Sequence, residues 1–236
     1  MSDDTSGASS ERQTSSRSGE QALTRPDLRT PKAAAIAGVV FSVVLIVALW
    51  LLRTSIPADP LESGAWIETS KVEVALALNL IPVAGIAFLW FIGVVRDRSG
   101  LLEDRFFATV FLGSALLFLA MLFCGAAVIG ALVLVANLEP NALINSTTFH
   151  FARAVAYIVM NVYAIKMAGV FMISTSTVSL YAGFVPRWIA ILGYILALIL
   201  LLGSYYISWS IMVLPVWVFL ISVHILIDDF RNARTS

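Results

Sequence analysis

The chain has 236 residues, with fifteen basic and fifteen acidic side chains and a formal net charge of zero. Apolar residues make up 59% and charged residues 13%, the latter about half the share found in soluble domains. With its charges gathered at the ends and between long apolar runs, the chain excludes a soluble core, which needs charge along every helix, and it offers no basic surface for nucleic acid.

Residues 1–30 are rich in Ser, Thr, Asp and Gly and cannot bury enough surface to offset ordering, so they read as a disordered cytoplasmic tail. No short basic start leads into an apolar core there, which argues against a cleavable signal peptide. The domain from 31 to 229 then divides into apolar runs. The first, 33–52, lies between Lys32 and Arg53 and is about 30 Å long as a helix. The second, 74–95, lies between Glu73 and Arg96. The third, 106–136, would be roughly 46 Å long, more than the hydrocarbon thickness, so it must tilt, kink or project. The fourth, 154–180, follows Arg153 and contains Lys166. The fifth, 188–206, opens on Pro186-Arg187-Trp188, with proline suited to a first turn and tryptophan to the headgroup level. The sixth, 209–227, stops at Asp228-Asp229, leaving 230–236 as a short C-terminal tail.

The fold class expected is therefore all-α, a polytopic transmembrane bundle of six spans. Its orientation follows from basic residues in short loops. Arg17, Arg25, Arg29, Lys32, Arg96, Arg98, Arg105, Arg187, Arg231 and Arg234 fall on one side, against Arg53, Lys71 and Arg153 on the other. Both termini are thus expected in the cytoplasm and the protein in the plasma membrane, with the lipid bilayer as its first partner.

Polar positions inside the runs are the candidates for function. Lys166 lies near the middle of the fourth run, where an ammonium costs about 2.5–3.5 kcal/mol on insertion scales. It points either to a wet cavity or to an interface where it snorkels. No carboxylate lies at that depth, so its partner would be a carbonyl, an amide, water or an anionic ligand. Asn79 and Asn161 read as interhelical glue worth about 0.6–2 kcal/mol. Thr177 shares the Lys166 face to within about 20°, whereas Asn161 stands about 140° away. Pro82 and Pro215 each free a backbone carbonyl, on Leu78 and Ile211. If spans two, four and six enclose water, these six residues would line it. Ser174-Thr175-Ser176-Thr177 is expected to back-bond to helix carbonyls or bridge to a neighbour. The small-residue pairs Ala126/Gly130 and Ala164/Ala168 provide helix-packing faces and a route to a homo-oligomer.

No catalytic residue, metal site or cofactor is expected. The one cysteine, Cys124, sits in an apolar run, and the two histidines are His150 and His224. No metal-binding, nucleophile-elbow or phosphate-loop motif occurs. An intramembrane enzyme would need His224 or Cys124 beside a nucleophile or acid. The leading expectation is a non-enzymatic integral membrane protein; the alternative is a transporter or channel for a small, anionic solute, its ligand held between spans two, four and six.

Three segments carry a resemblance: Phe88-Leu-Trp-Phe-Ile-Gly-Val-Val-Arg-Asp97, Glu103-Asp-Arg-Phe-Phe-Ala-Thr-Val-Phe-Leu-Gly113 and Val185-Pro-Arg-Trp-Ile-Ala-Ile-Leu-Gly-Tyr194. Over about residues 35–227 the chain resembles a family of uncharacterised bacterial six-helix membrane proteins, common in actinobacteria. The resemblance implies a bacterial plasma membrane; the family has no assigned activity, so no site residues carry over from it.

Overall fold

The computed structural model describes residues 30–57, 59, 62, 64–99, 105–138, 144, 146–183, 185–203 and 209–235; the expected tail, up to residue 29, lies outside them. The regular elements are all helical, with no strand among the described residues. They are α1 (Thr30–Ser55), a single turn α2 (Trp66–Thr69), α3 (Lys71–Ser99), α4 (Arg105–Leu138), α5 (Thr147–Ile158), a π turn (Val159–Ala164), α6 (Ile165–Ala182), α7 (Arg187–Gly203), a 3-10 turn (Ser210–Met212) and α8 (Val213–Thr235). Helices α5 and α6 continue through the π turn as one rod.

Among the described residues, five helical stretches are long and apolar enough to cross a membrane: Ala35–Ser55, Lys71–Arg96, Thr109–Leu138, Thr147–Tyr181 and Ser210–Asp228. The stretch expected as span five is apolar and is described over 17 residues from Arg187 to Gly203, with 204–206 of the expected run outside the described residues. The outward-facing side chains support a membrane setting. Along α7 the exposed stripe is Trp188, Ile191, Ile195, Leu198 and Leu202, spaced three or four apart as one helix face. A soluble helix would put charges there. Along α1 the exposed face is equally apolar, with Ile36, Val40, Val43, Val47 and Trp50.

Two element ends depart most from the sequence reading. The fourth span begins at Thr147, not 154, because the Ser146 side chain accepts a bond from the Phe149 amide at 3.1 Å and caps the helix. Arg153 is consequently a helix residue and not a loop residue. Helix α8 continues to Thr235 through the segment read as a C-terminal tail. At the end of α6, Gly183 adopts φ 70° and its amide donates to Ser179 O at 3.0 Å, the left-handed stop that glycine suits.

One half of the bundle is filled by phenylalanine. Phe88 of α3 has its ring centroid 4.4 Å from Phe41, 6.2 Å from Phe91, 5.7 Å from Phe118 and 5.2 Å from Phe171. Phe111 continues the cluster through Phe171 at 5.2 Å. These rings come from α1, α3, α4 and α6, and all are essentially inaccessible. Glycine lets the backbones approach around them: a side chain at Gly38 would run into Ser222 Oγ and Phe91, and one at Gly193 into Ser176 Oγ and Trp217. Several buried hydroxyls bond within their own helix, while Ser176, Ser179 and Ser222 are buried without a partner. Ser42 donates to Gly38 O at 2.8 Å, Ser114 to Val110 O at 2.7 Å and Thr175 to Phe171 O at 2.8 Å, so they need no partner across the core.

Candidate functional site

At one end of the bundle the helices part around a cavity of about 100 Å³ that opens on one side. It is bounded by the C-terminal ends of α1 and α4, the single turn α2, the N-terminal part of the α5–α6 rod and the 3-10 turn before α8. Leu52, Ile129, Leu132, Met160 and Met212 give it apolar walls. Arg53, Trp66, Arg153, Tyr157, Asn161 and Trp209 give it a polar and aromatic rim, and among the described residues no carboxylate lines it.

Arg153 organises this end. It is 6% exposed although it carries a guanidinium, a burial that requires its donors to be occupied. One terminal nitrogen donates to Pro57 O at 2.8 Å and the other to Glu62 O at 3.0 Å, both in the connection between α1 and α2. The guanidinium carbon also lies 5.9 Å from the Trp66 ring centre and 5.9 Å from that of Phe149, within cation–π range. The side chain of one helix thus fixes a connection more than ninety residues earlier in sequence. Asp59 and Glu62 add a favourable field beside it.

Across the cavity Arg53 stands 5.8 Å from the Trp209 ring, which packs against Trp50 at 5.6 Å. Trp66 is 5% exposed, and its indole N–H is sealed from solvent without an acceptor. A buried donor left so costs about 1–3 kcal/mol. The π turn places Met160 and Asn161 on the lining; such turns recur at functional sites because they displace side chains from the regular helical positions.

The residues singled out in the sequence do not gather between spans two, four and six. Asn161 alone reaches the cavity, with its amide donating to Tyr157 O at 3.1 Å. Lys166 turns to α7 and donates to Leu201 O at 2.8 Å, one of the last four carbonyls that a helix leaves unpaired. Thr177 also faces α7, bonding to Ile173 O at 2.9 Å and to the Tyr194 hydroxyl at 2.7 Å. Asn79 is exposed and bonds to Ala75 O of its own helix at 2.8 Å. Pro82 is exposed on an α3 that continues past it. Pro215 does not interrupt a span midway: it is the third residue of α8, just after the 3-10 turn, where a missing N–H is tolerated. Ser174, Thr175 and Thr177 back-bond to carbonyls, while Ser176 is buried against Gly193 without a partner. Cys124 is exposed. Of the small-residue pairs, Ala164 and Ala168 are buried within the chain.

The sequence reading treated Arg53 and Arg153 only as loop charges that set orientation, and it passed over Trp66, Tyr157 and Trp209. The available signal was the Ser146 cap, which would have moved Arg153 into the helix. Comparison with family models, curated proteins and solved structures returned no match.

Proposed function

We propose that the chain is a six-span protein of the bacterial plasma membrane, with both termini in the cytoplasm, that binds a small molecule at the outward end of its bundle and catalyses no reaction. The observation that carries this reading is the cavity itself: apolar walls, two arginines on the rim, and a phenylalanine-packed half of the bundle beyond it. A concave, largely apolar pocket with a few convergent polar groups is the usual form of a ligand site.

Counting α7 as a span, the fifth in chain order, brings the number to six and rests on geometry. The rod α5–α6 starts at the cavity and the 3-10 turn before α8 also lies there, so the chain must return between them. Helix α7 supplies the return: 17 residues give about 25 Å, at the lower end of the roughly 17–25 residues that suffice to cross. The basic residues, sparse near the cavity end and dense at the other, support an outward-facing cavity. The resemblance noted above points to the same membrane.

The alternative, a transporter for a small anionic solute, gains less support. Lys166 and Thr177 are engaged with α7, and the buried rings around Phe88 pack together between α1, α3, α4 and α6. Binding without passage is the simpler use of this geometry.

The topology is tested by labelling single cysteines in intact cells with a membrane-impermeant maleimide, in a Cys124→Ser background. Thr54→Cys should react, while Asp3→Cys and Arg231→Cys should react only after permeabilisation. Opposite behaviour of the two ends would sink the six-span count.

A further inference from the structure

We propose that the cavity takes the oxyanion head of an amphiphile, a phosphate or carboxylate joined to an apolar chain. This rests on the binding reading above and adds the ligand's chemistry. Three observations converge on it. Two guanidinium groups, Arg53 and Arg153, stand on the rim; among the described residues no carboxylate lines the cavity, and Asp59 and Glu62, whose field acts on Arg153, lie outside that lining and leave Arg53 as the second positive group. Arg153 is more than nine-tenths buried and spends two donors on Pro57 and Glu62; a guanidinium carries five N–H donors, so donors remain for an anion. The indole N–H of Trp66, equally buried, has no acceptor, and a negatively charged oxygen seated beside Arg153 is the group suited to supply one.

The apolar walls fix the other half of the ligand. Leu52, Leu132 and Met212 can cover methylenes but cannot hydrogen-bond a sugar or a peptide. The volume of about 100 Å³ holds a head and its first few carbons, and the rest of the chain leaves through the open side along the apolar exterior. A zwitterionic head would bring its ammonium against the two arginines, which disfavours it. The same chemistry is available from an anionic phospholipid of the outer leaflet or from a soluble amphiphilic acid.

The test uses the full chain purified in a neutral sterol-glycoside detergent, with thermal unfolding as readout. Dodecyl phosphate should raise the unfolding temperature in a saturable manner. Dodecyl trimethylammonium, of equal chain length, and inorganic phosphate, with no chain, should not. Arg53→Gln should weaken the half-saturating concentration by roughly tenfold or more, the scale of a charge-assisted hydrogen bond. Trp66→Phe, which keeps the ring and removes the N–H, should weaken it less. Met212→Trp, which fills the cavity, should abolish the response. Equal shifts from the phosphate and the ammonium, both lost in Met212→Trp, would overturn the oxyanion while leaving the binding site in place. No shift from either, or shifts indifferent to Met212→Trp, would overturn the site and the inference together. Native mass spectrometry separates the sources. Phosphatidylglycerol retained over phosphatidylcholine, and lost in Arg53→Gln, assigns the bilayer lipid. Equal retention alongside a dodecyl phosphate response that needs Arg53 assigns a soluble amphiphile.

Discussion

Replacing Arg153 by methionine removes the charge and both bonds to the α1–α2 connection while keeping most of the side-chain length. Each bond is charge-assisted, at 2.8 Å to Pro57 O and 3.0 Å to Glu62 O, and such bonds are worth about 1.5–3 kcal/mol. Two of them would give about 3–6 kcal/mol. Part of that returns, because methionine no longer carries the cost of a desolvated guanidinium and Pro57 and Glu62 are exposed enough for their carbonyls to find water. A net loss of about 2–4 kcal/mol remains. For a chain of this size 1 kcal/mol corresponds to about 2–4 °C, so the unfolding temperature should fall on the order of 4–16 °C. Arg153→Lys should recover less than half, since one ammonium cannot reach both carbonyls in the forked geometry. The assay is thermal unfolding in detergent, with hydrogen exchange at Ile67 and Glu68 to show whether α2 loosens. An unchanged melting temperature in Arg153→Met, with exchange at α2 also unchanged, would refute the reasoning.

Phe88→Ala removes the ring shared by four neighbours and should cost about 3–5 kcal/mol, read as a lower denaturant midpoint; a cost below 1 kcal/mol would mean the cluster collapses freely. Gly38→Ala places a methyl group against Ser222 and Phe91 and should destabilise by about 1–3 kcal/mol, with partial rescue by Ser222→Gly in the double variant and none by Ser42→Gly. Lys166→Met sets two effects of similar size against each other: the lost bond to Leu201 O, about 1.5–3 kcal/mol, and relief from an intramembrane ammonium, about 2.5–3.5 kcal/mol. The variant should therefore fall between about 0.5 kcal/mol less and about 2 kcal/mol more stable than the parent chain, and a loss above 3 kcal/mol would reveal a further partner for the ammonium.

Long-range hydrophobic patterning made the bundle legible. Runs bounded by charge, such as Ala33–Leu52 between Lys32 and Arg53, need only length and composition to be read as spans. Side-chain direction was harder. Asn79 looked like an interior residue because an amide in lipid needs a partner, yet its own helix supplies one at Ala75 O, freeing it to face outward. Lys166 was recognised as exceptional, but its acceptor lies 35 residues ahead on α7, a distance that no spacing rule covers. Arg153 was missed for the opposite reason: at the edge of an apolar run a charge reads as a boundary, and only tertiary packing makes it a buried anchor. The cavity draws on α1, α2, α4, α5 and the turn before α8, so its existence depends on contacts between segments far apart in the chain.

The π turn at Val159–Ala164 divides one rod into two independently phased halves. Upstream residues such as Arg153 and Tyr157 answer to the cavity, while Lys166, Gly169 and Thr177 answer to α7. An insertion or deletion of one residue inside those six positions is therefore a rotation control. It would turn the cavity-facing half about 100° relative to the α7-facing half without changing any side chain on either. Loss of ligand response with α7 packing retained would make this turn the natural place to tune one end of the molecule while leaving the other alone.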